Sequence, residues 1–427
     1  MKLPASLAPL RHRPFALLWG GAFVSNIGTW MEAVGVGILV TETTGQAGWT
    51  GLVAAASFAP AAVIGPIGGA LADRLPRRRL LLATSSVQAG LAALLAVLTF
   101  SGTPSPGLVT LIVLCAGGVQ ALGFPSYQAM LPDLVPEEDL VGAVALSSAQ
   151  WNLGRVIGPA LAGVVIAAGS YSWAFTINAA SFIAVIVVLV LIRLPPPARH
   201  DGTGILRAIG DGLGYVRRDP TISRVVAYMA LNSLLAAPFI ALIPAMAITV
   251  LHSGAGGTSA LVTAQGIGAV AMALSLGILA AKFGSARVLS AVLWILPISL
   301  IAYALAPNLP ASALALIVVG FFYLGALSSF MSIAQLRSPP ELRGRVMSVL
   351  MTLLGLVYPL GALVQGELAD RLGLRAVTAG AAILMVIVLA GARIVFGDLA
   401  TTADGSDLLA AGEIPSIDQP ELGEPPW

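Results

Sequence analysis

Two ionisable side chains, Glu32 and Arg155, sit deep inside long uncharged runs of the sequence. Burying either in hydrocarbon costs roughly 2.5–3.5 kcal/mol on insertion scales, so each demands a reason. Counted from the same end of their runs they lie about 18 and about 14 residues in, which at ~1.5 Å per residue leaves about 6 Å between their depths. They are placed to pair, directly or through water or a bound molecule. A buried carboxylate whose cationic partner approaches and withdraws changes its hold on a proton, and that is the chemistry of a proton carrier. The plainer reading is a fixed pair that sets helix register. Other chemistry has little to work with. His12, His200 and His252 are scattered and Cys115 stands alone, so neither a metal centre nor a disulfide framework is expected, and no cofactor. No nucleophile elbow is present, and a membrane enzyme is the least favoured class.

The elements that hold these two groups follow from composition. Of 427 residues 57% are apolar and only 10% charged, with 22 Lys and Arg against 20 Asp and Glu. A water-facing globule carries about a quarter charged residues, and a nucleic-acid binder carries a dense basic face. This chain has neither, which leaves a polytopic membrane protein with the lipid bilayer as its surroundings. About 20 apolar residues cross a bilayer as helix. Uncharged runs near 14–41, 48–72, 79–100, 107–127, 141–168, 173–194, 222–250, 258–281, 286–306, 311–335, 344–366 and 375–396 predict twelve spans. Of the 22 Lys and Arg, Arg371 and Arg375 fall on one side and Arg155 within a span, and all the others fall on the side of the two termini. The positive-inside rule makes that side cytoplasmic. The first span follows Lys2, Arg11 and Arg13 without a small-residue cleavage site, and reads as a retained helix.

The spans divide six and six. Residues 1–194 form one half and 222–397 the other, with a linker at 195–221 between them and an acidic segment at 398–427. The linker opens with Pro195-Pro196-Pro197, and Ile205, Leu206, Ile209, Leu213 and Val216 recur at helical spacing. That pattern fits an amphipathic helix on the inner leaflet, or a solvated connector. The last segment has seven acids and no bases and is read as a disordered cytoplasmic tail. Asp139-Leu140-Val141-Gly142 and Glu341-Leu342-Arg343-Gly344 open spans five and eleven, and Leu153-Gly154 and Leu354-Gly355 follow at almost the same offset. Parallel halves of this kind place a transport site at the midplane between them.

Between spans two and three runs Gly69-Ala70-Leu71-Ala72-Asp73-Arg74-Leu75-Pro76-Arg77-Arg78-Arg79. This resembles the loop signature of the major facilitator superfamily, G-x-L-a-D-R-x-G-R-[RK]-[RK], with Pro76 in place of a glycine. The resemblance implies an all-α fold of twelve transmembrane helices in two pseudo-symmetric halves and a gate in which Asp73 engages the start of span eleven. Arg343 and Arg345 stand there, with Gly69, Arg74, Arg77 and Arg78 completing the motif. A partial copy, Gly366-Glu367-Leu368-Ala369-Asp370-Arg371-Leu372-Gly373, lies between spans eleven and twelve, where a packing and capping loop is the simpler reading. In span five, Gly154, Gly158, Pro159 and Gly163 are similar to the superfamily's exporter signature G-x-x-x-G-P-x-x-G-G, departing at Ala162. Good helix packing is the alternative. The Phe15-Ala16-Leu17-Leu18-Trp19 opening, Asn26-Ile27-Gly28-Thr29-Trp30 and the Tyr215-Val216-Arg217-Arg218-Asp219-Pro220 linker resemble the enterobactin-exporter-like and macrolide-efflux-like branch.

In the superfamily, spans one, four, seven and ten line the cavity. By that placement Asn26, Gln120, Asn232, Phe322 and Tyr323 are candidates to meet substrate, with the midspan Asn152 beside them. Each has an interhelical hydrogen bond as its alternative. The expectation is a monomeric transporter in the plasma (inner) membrane that exports an amphipathic or hydrophobic, siderophore- or drug-like molecule against protons by alternating access. An uptake symporter for a nutrient and a non-transporting sensor or anchor are the rivals.

Overall fold

The computed structural model describes residues 5–192 and 205–396. After a short 3-10 turn (Ala5–Arg11), helices α1 (Arg13–Thr44), α2 (Ala47–Arg74), α3 (Arg77–Ser101), α4 (Pro106–Leu134), α5 (Glu137–Ala168) and α6 (Tyr171–Leu191) make the first half. Linker helix α7 (Ile205–Arg218) leads to α8 (Pro220–Val250), α9 (Gly254–Phe283), α10 (Ser285–Leu305), α11 (Leu309–Arg337), α12 (Pro340–Leu372) and α13 (Leu374–Phe396). Twelve of these are long and apolar enough to span a bilayer, and no strand occurs among the described residues. The helices overrun the expected uncharged runs, α4 to Leu134 and α5 back to Glu137. An apolar run marks only the hydrocarbon-facing part of a helix, whose backbone ladder continues through the interface.

Within the first half α1 packs on α5 and α6, α3 on α4 and α6, and α2 on α4; within the second, α11 packs on α9 and α10, and α13 on α10 and α12. The halves meet along two seams, α2 with α12 and α5 with α9. Exchanging the halves maps one seam onto the other. Small residues permit the approach. A Cβ added at Gly51 would clash with the Ala362 carbonyl oxygen, and one at Gly163 would stand 2.6 Å from Ser259 Cβ. These contacts run from the side opposite the termini to mid-depth, ending at Gly355 against Ala62 and Gly266 against Val156. Further toward the termini, Gly65 and Gly69 on α2, Gly277 on α9 and Gly344 on α12 have open space beside them. The bundle is therefore sealed on the far side and parted on the terminal side.

Helix α8 is broken twice by π turns, at Asn232–Ala236 and Met246–Val250. Pro238 has no N–H to give the Leu234 carbonyl. Gln365 of α12 supplies the missing donor, its Nε2 reaching the Leu234 and Leu235 oxygens at 2.9 and 3.0 Å. In a membrane such freed carbonyls must be met from a neighbouring helix.

The amphipathic segment is helical as α7, and it docks on protein: Gly212 lies against the Arg345 backbone at the start of α12, and Val216 is buried in the core of the second half. Pro195–Pro197 and the acidic segment 398–427 lie outside the described residues.

Candidate functional site

The two embedded ionisable groups do not pair. Asn178 on α6 donates from Nδ2 to Glu32 Oε2 at 2.6 Å, and no ion pair joins Glu32 to Arg155 among the described residues. The reason is rotational. Gly21, Gly28 and Gly35 of α1 face α6 through Val188, Ser181 with Asn178, and Phe175, and Glu32 is one turn from Gly28 on that face. Asn26, Ile27, Trp30 and Met31 face α5, where Gly154 and Gly158 let the backbones close. Equal depth put Glu32 and Arg155 together in the sequence; the helix faces put them apart.

Arg155 instead turns to the middle of the bundle. Its guanidinium carbon lies 5.9 Å from the Trp30 ring centroid, and Trp30 packs edge-on with Trp151. It is within electrostatic reach of Tyr323 on α11 and Tyr358 on α12, so groups of both halves converge on it. Phe58 packs edge-on to Tyr358 across the α2–α12 seam, and within the second half Phe239 packs edge-on to Tyr323. Trp30, Trp151, Phe58, Phe239 and Tyr358 were not singled out from sequence as cavity residues. The available signal was an aromatic at mid-depth in each of several spans, which uniform apolar runs conceal. Asn178 was missed as well, although Asn178 and Ser181 form a polar face three residues apart in an otherwise apolar span.

The remaining candidates divide. Tyr323 reaches the central group and is buried, while Phe322 packs against Phe321 beside it. Asn26 lies under Gly154 in the α1–α5 contact. Asn232 is buried at the first π turn, its Oδ1 without a donor among the described residues. Gln120 is not brought to the centre: it accepts from Gln88 Nε2 at 3.2 Å and faces the peripheral helix α3. Asn152 donates to the Ser148 carbonyl of its own helix at 2.9 Å, a local bond that asks for no substrate.

The loop motif is held inside the first half. Arg77 donates to Asp133 Oδ2 at 2.9 Å and to the Ala129 carbonyl at 2.7 Å, and Arg78 binds the Leu189 and Val190 carbonyls at the end of α6. Arg74 and Arg343 are exposed, and Arg345 packs by its backbone against Gly212. The side-chain contacts of Asp73, on which a clasp to the start of α12 depends, lie outside what the structure describes. Arginine at a helix C-terminus meets orphan carbonyls and the helix dipole. Arg78→Ala is accordingly expected to cost about 1–2 kcal/mol and to lower the thermal unfolding midpoint while leaving the substrate profile unchanged. A changed profile at unchanged stability would show that Arg78 works in the gate. The matching end of α9, Gly277-Ile278-Leu279-Ala280-Ala281-Lys282, carries Ala281 where Asp73 stands, so the acid occurs in one half only.

The partial copy does form a clasp across the seam. Asp370 near the end of α12 accepts from the Ala47 N–H at 2.6 Å and the Gly48 N–H at 2.9 Å, at the N-terminus of α2. Glu367 and Arg371 pair beside it at 2.6 Å. A cleft of about 570 Å³ lined by Trp49, Leu52, Leu363 and Glu367 flanks this clasp at the far mouth of the seam, away from the central aromatic group. The span-five motif likewise serves two partners: Gly154 and Gly158 seat α1, and Gly163 seats α9 of the other half, with Pro159 buried between.

Known proteins share this arrangement. The fold matches a nucleoside transporter (TM-score 0.71, 16% identity, covering 88% of this chain and 99% of that one). It also matches a bacterial homologue of the lysosomal transporter Spinster (TM-score 0.70, 13% identity, 95% and 98% covered). In sequence, the chain is 23% identical over 371 residues to macrolide efflux protein A of Streptococcus pyogenes, covering 84% of this chain and 90% of that protein. It is 27% identical over 385 residues to the multidrug efflux pump Tap of Mycolicibacterium fortuitum (86% and 91%). It is 30% identical over 347 residues to the enterobactin exporter of Salmonella choleraesuis (78% and 80%). The family model described as transmembrane secretion effector matches residues 4–410. With its twelve spans, two seams and aromatic centre, the chain belongs to the transmembrane secretion effector family of the major facilitator superfamily.

Proposed function

We propose that this chain exports an amphipathic or hydrophobic small molecule, siderophore- or drug-like, across the plasma (inner) membrane in exchange for protons, working as a monomer with both termini in the cytoplasm. The observation that carries the reading is the seam geometry: two small-residue seams closed on one side and parted on the other, with polar groups at mid-depth. That is one of the two states alternating access requires. The asymmetry of Lys and Arg makes the open side cytoplasmic, where an exporter loads its cargo. Glu32 is the proton site, because it is the acid lying deepest in a span and its partner is neutral. Asp73 with Arg343 and Arg345 closes the terminal side in the opposite state.

Flux must then depend on opening the far seam. A Cβ on Gly355 would lie 3.5 Å from Ala62 Cβ, within the range a disulfide bridges. In a Cys115→Ser background, Ala62→Cys with Gly355→Cys is expected to lose proton-driven efflux from proteoliposomes on oxidation and regain it on reduction. Unchanged flux with the bridge formed would refute alternating access at this seam. Substrate drawn in under an inward proton gradient would favour the symporter, and no flux of any compound the sensor or anchor.

A further inference from the structure

The relatives leave the chemical class of cargo open, and the centre of the bundle restricts it. Arg155 Nη2 and the Trp30 indole Nε1 are both buried and neither has an acceptor among the described residues. They belong to side chains already stacked on one another, 5.9 Å from guanidinium carbon to ring centroid. Structural arginines in this protein do find partners. Arg78 takes two carbonyls, Arg337 takes Asp219 at 3.2 Å, and Arg375 takes the Ala306 carbonyl at 2.9 Å. Arg77 leaves its Nε without an acceptor but binds Asp133 and the Ala129 carbonyl, whereas Arg155, the deepest of these, makes no hydrogen bond or ion pair among the described residues. Glu32, the acid nearest in depth, is turned to Asn178 on α6 and does not neutralise it. The groups within electrostatic reach from the facing half are the hydroxyls of Tyr323 and Tyr358, and a neutral phenol donates as well as accepts. Around the donors are flat rings, Trp151 beside Trp30 and Phe58 beside Tyr358. Orphaned buried donors cost stability unless a ligand uses them, and a planar guanidinium matches the two oxygens of a carboxylate.

We propose that Arg155 and Trp30 of the first half, with Tyr323 and Tyr358 of the second, form a recognition site for an organic anion: a molecule bearing a carboxylate or sulfonate on a flat, apolar body. This rests on the export reading for its biological use, but not for its test. The anion bonds to Arg155 and the indole N–H, its flat body lies among the rings, and the two tyrosines tie it to the other half. Occupation would thus couple the halves.

The test uses the full chain in nanodiscs and three radiolabelled probes that share one ring system, 2-naphthoate, 2-naphthol and 2-naphthylmethylammonium, by equilibrium dialysis against empty nanodiscs. Naphthoate is expected to bind about tenfold or more tightly than the ammonium analogue, the worth of a charge-assisted pair at a desolvated site. Arg155→Gln should remove that preference while leaving naphthol affinity unchanged, Arg155→Lys should keep part of it, and Trp30→Phe should weaken naphthoate most. Equal binding of the three probes by the unmodified protein overturns the proposal, and that ranking decides even if Arg155→Gln does not fold. Equal weakening of all three probes by Arg155→Gln also overturns it, in favour of a packing role. Proton-driven dye efflux by the same protein in proteoliposomes separates the two readings: an anion preference without flux leaves the site and removes the exporter. Flux without the preference does the reverse.

Discussion

Replacing Glu32 by Gln is expected to abolish uphill export while leaving downhill movement of substrate intact. One proton crossing with the membrane field contributes about 2.3 kcal/mol per 100 mV, which sustains a substrate gradient of about 50-fold at 1.36 kcal/mol per decade. Gln keeps the shape and the hydrogen bond from Asn178 but cannot release a proton, so the gradient should collapse to about onefold. Counterflow exchange, which needs no proton, should persist. Asn178→Leu should displace the pH optimum of export, because it removes the donor 2.6 Å from the carboxylate. Arg155→Gln should change affinity for cargo and not the pH optimum, since the two groups face different helices. Both are measured in proteoliposomes with an imposed pH gradient. Export by Glu32→Gln against a gradient, with an unchanged pH profile, would remove Glu32 from the coupling role.

The second large effect is expected at the far seal. Asp370 accepts two backbone N–H bonds from the start of α2, a carboxylate at a helix N-terminus where the dipole favours negative charge. Because α2 and α12 belong to different halves, this capping interaction is also a latch on the state seen here. Asp370→Ala should weaken that state by about 1–2 kcal/mol, a shift of about 5–30-fold between sealed and open populations. Gly51→Leu should act in the same direction by wedging a side chain where even a Cβ would clash with the Ala362 carbonyl oxygen. Spin labels at Gln46 and Leu372, exposed on either side of the seal, read the change as a longer distance distribution. Unchanged distances in both variants would show that the seal is held elsewhere, for example by Gly163 against Ser259.

Much of the fold was legible from uncharged runs and the placement of arginines, because a bilayer leaves so few ways to satisfy a backbone. Helix ends were less legible: nothing in an apolar run says where the ladder stops, and α4 and α5 continue into charged turns. The broken course of α8 was not anticipated. Pro238 and Pro244 signal it only once Gln365, more than a hundred residues later, is known to meet the freed carbonyls. At the site, the sequence offered Tyr323 as a cavity candidate and Arg155 as a partner for Glu32, and Arg155 lies within electrostatic reach of Tyr323 instead. Gln120 was drawn in by the superfamily's placement of span four and Asn152 by mid-depth polarity, yet the Gln120 oxygen accepts from Gln88 in the same half and Asn152 donates to a carbonyl of its own helix.

The sequence by itself determined the solvent, the number of crossings, the duplication and the depth of each ionisable group, because these depend on composition and distance along the chain. Only the tertiary structure decided azimuth, the direction each residue faces around its helix. Trp30 and Glu32 are two positions apart, and about 200° of helix turn sends one to Arg155 and the other to Asn178. Asp370 shows the same limit, since its role comes from a backbone more than three hundred residues away. A one-dimensional pattern records depth in the membrane, whereas the partner of a buried charge is fixed by which helices the small residues allow to touch.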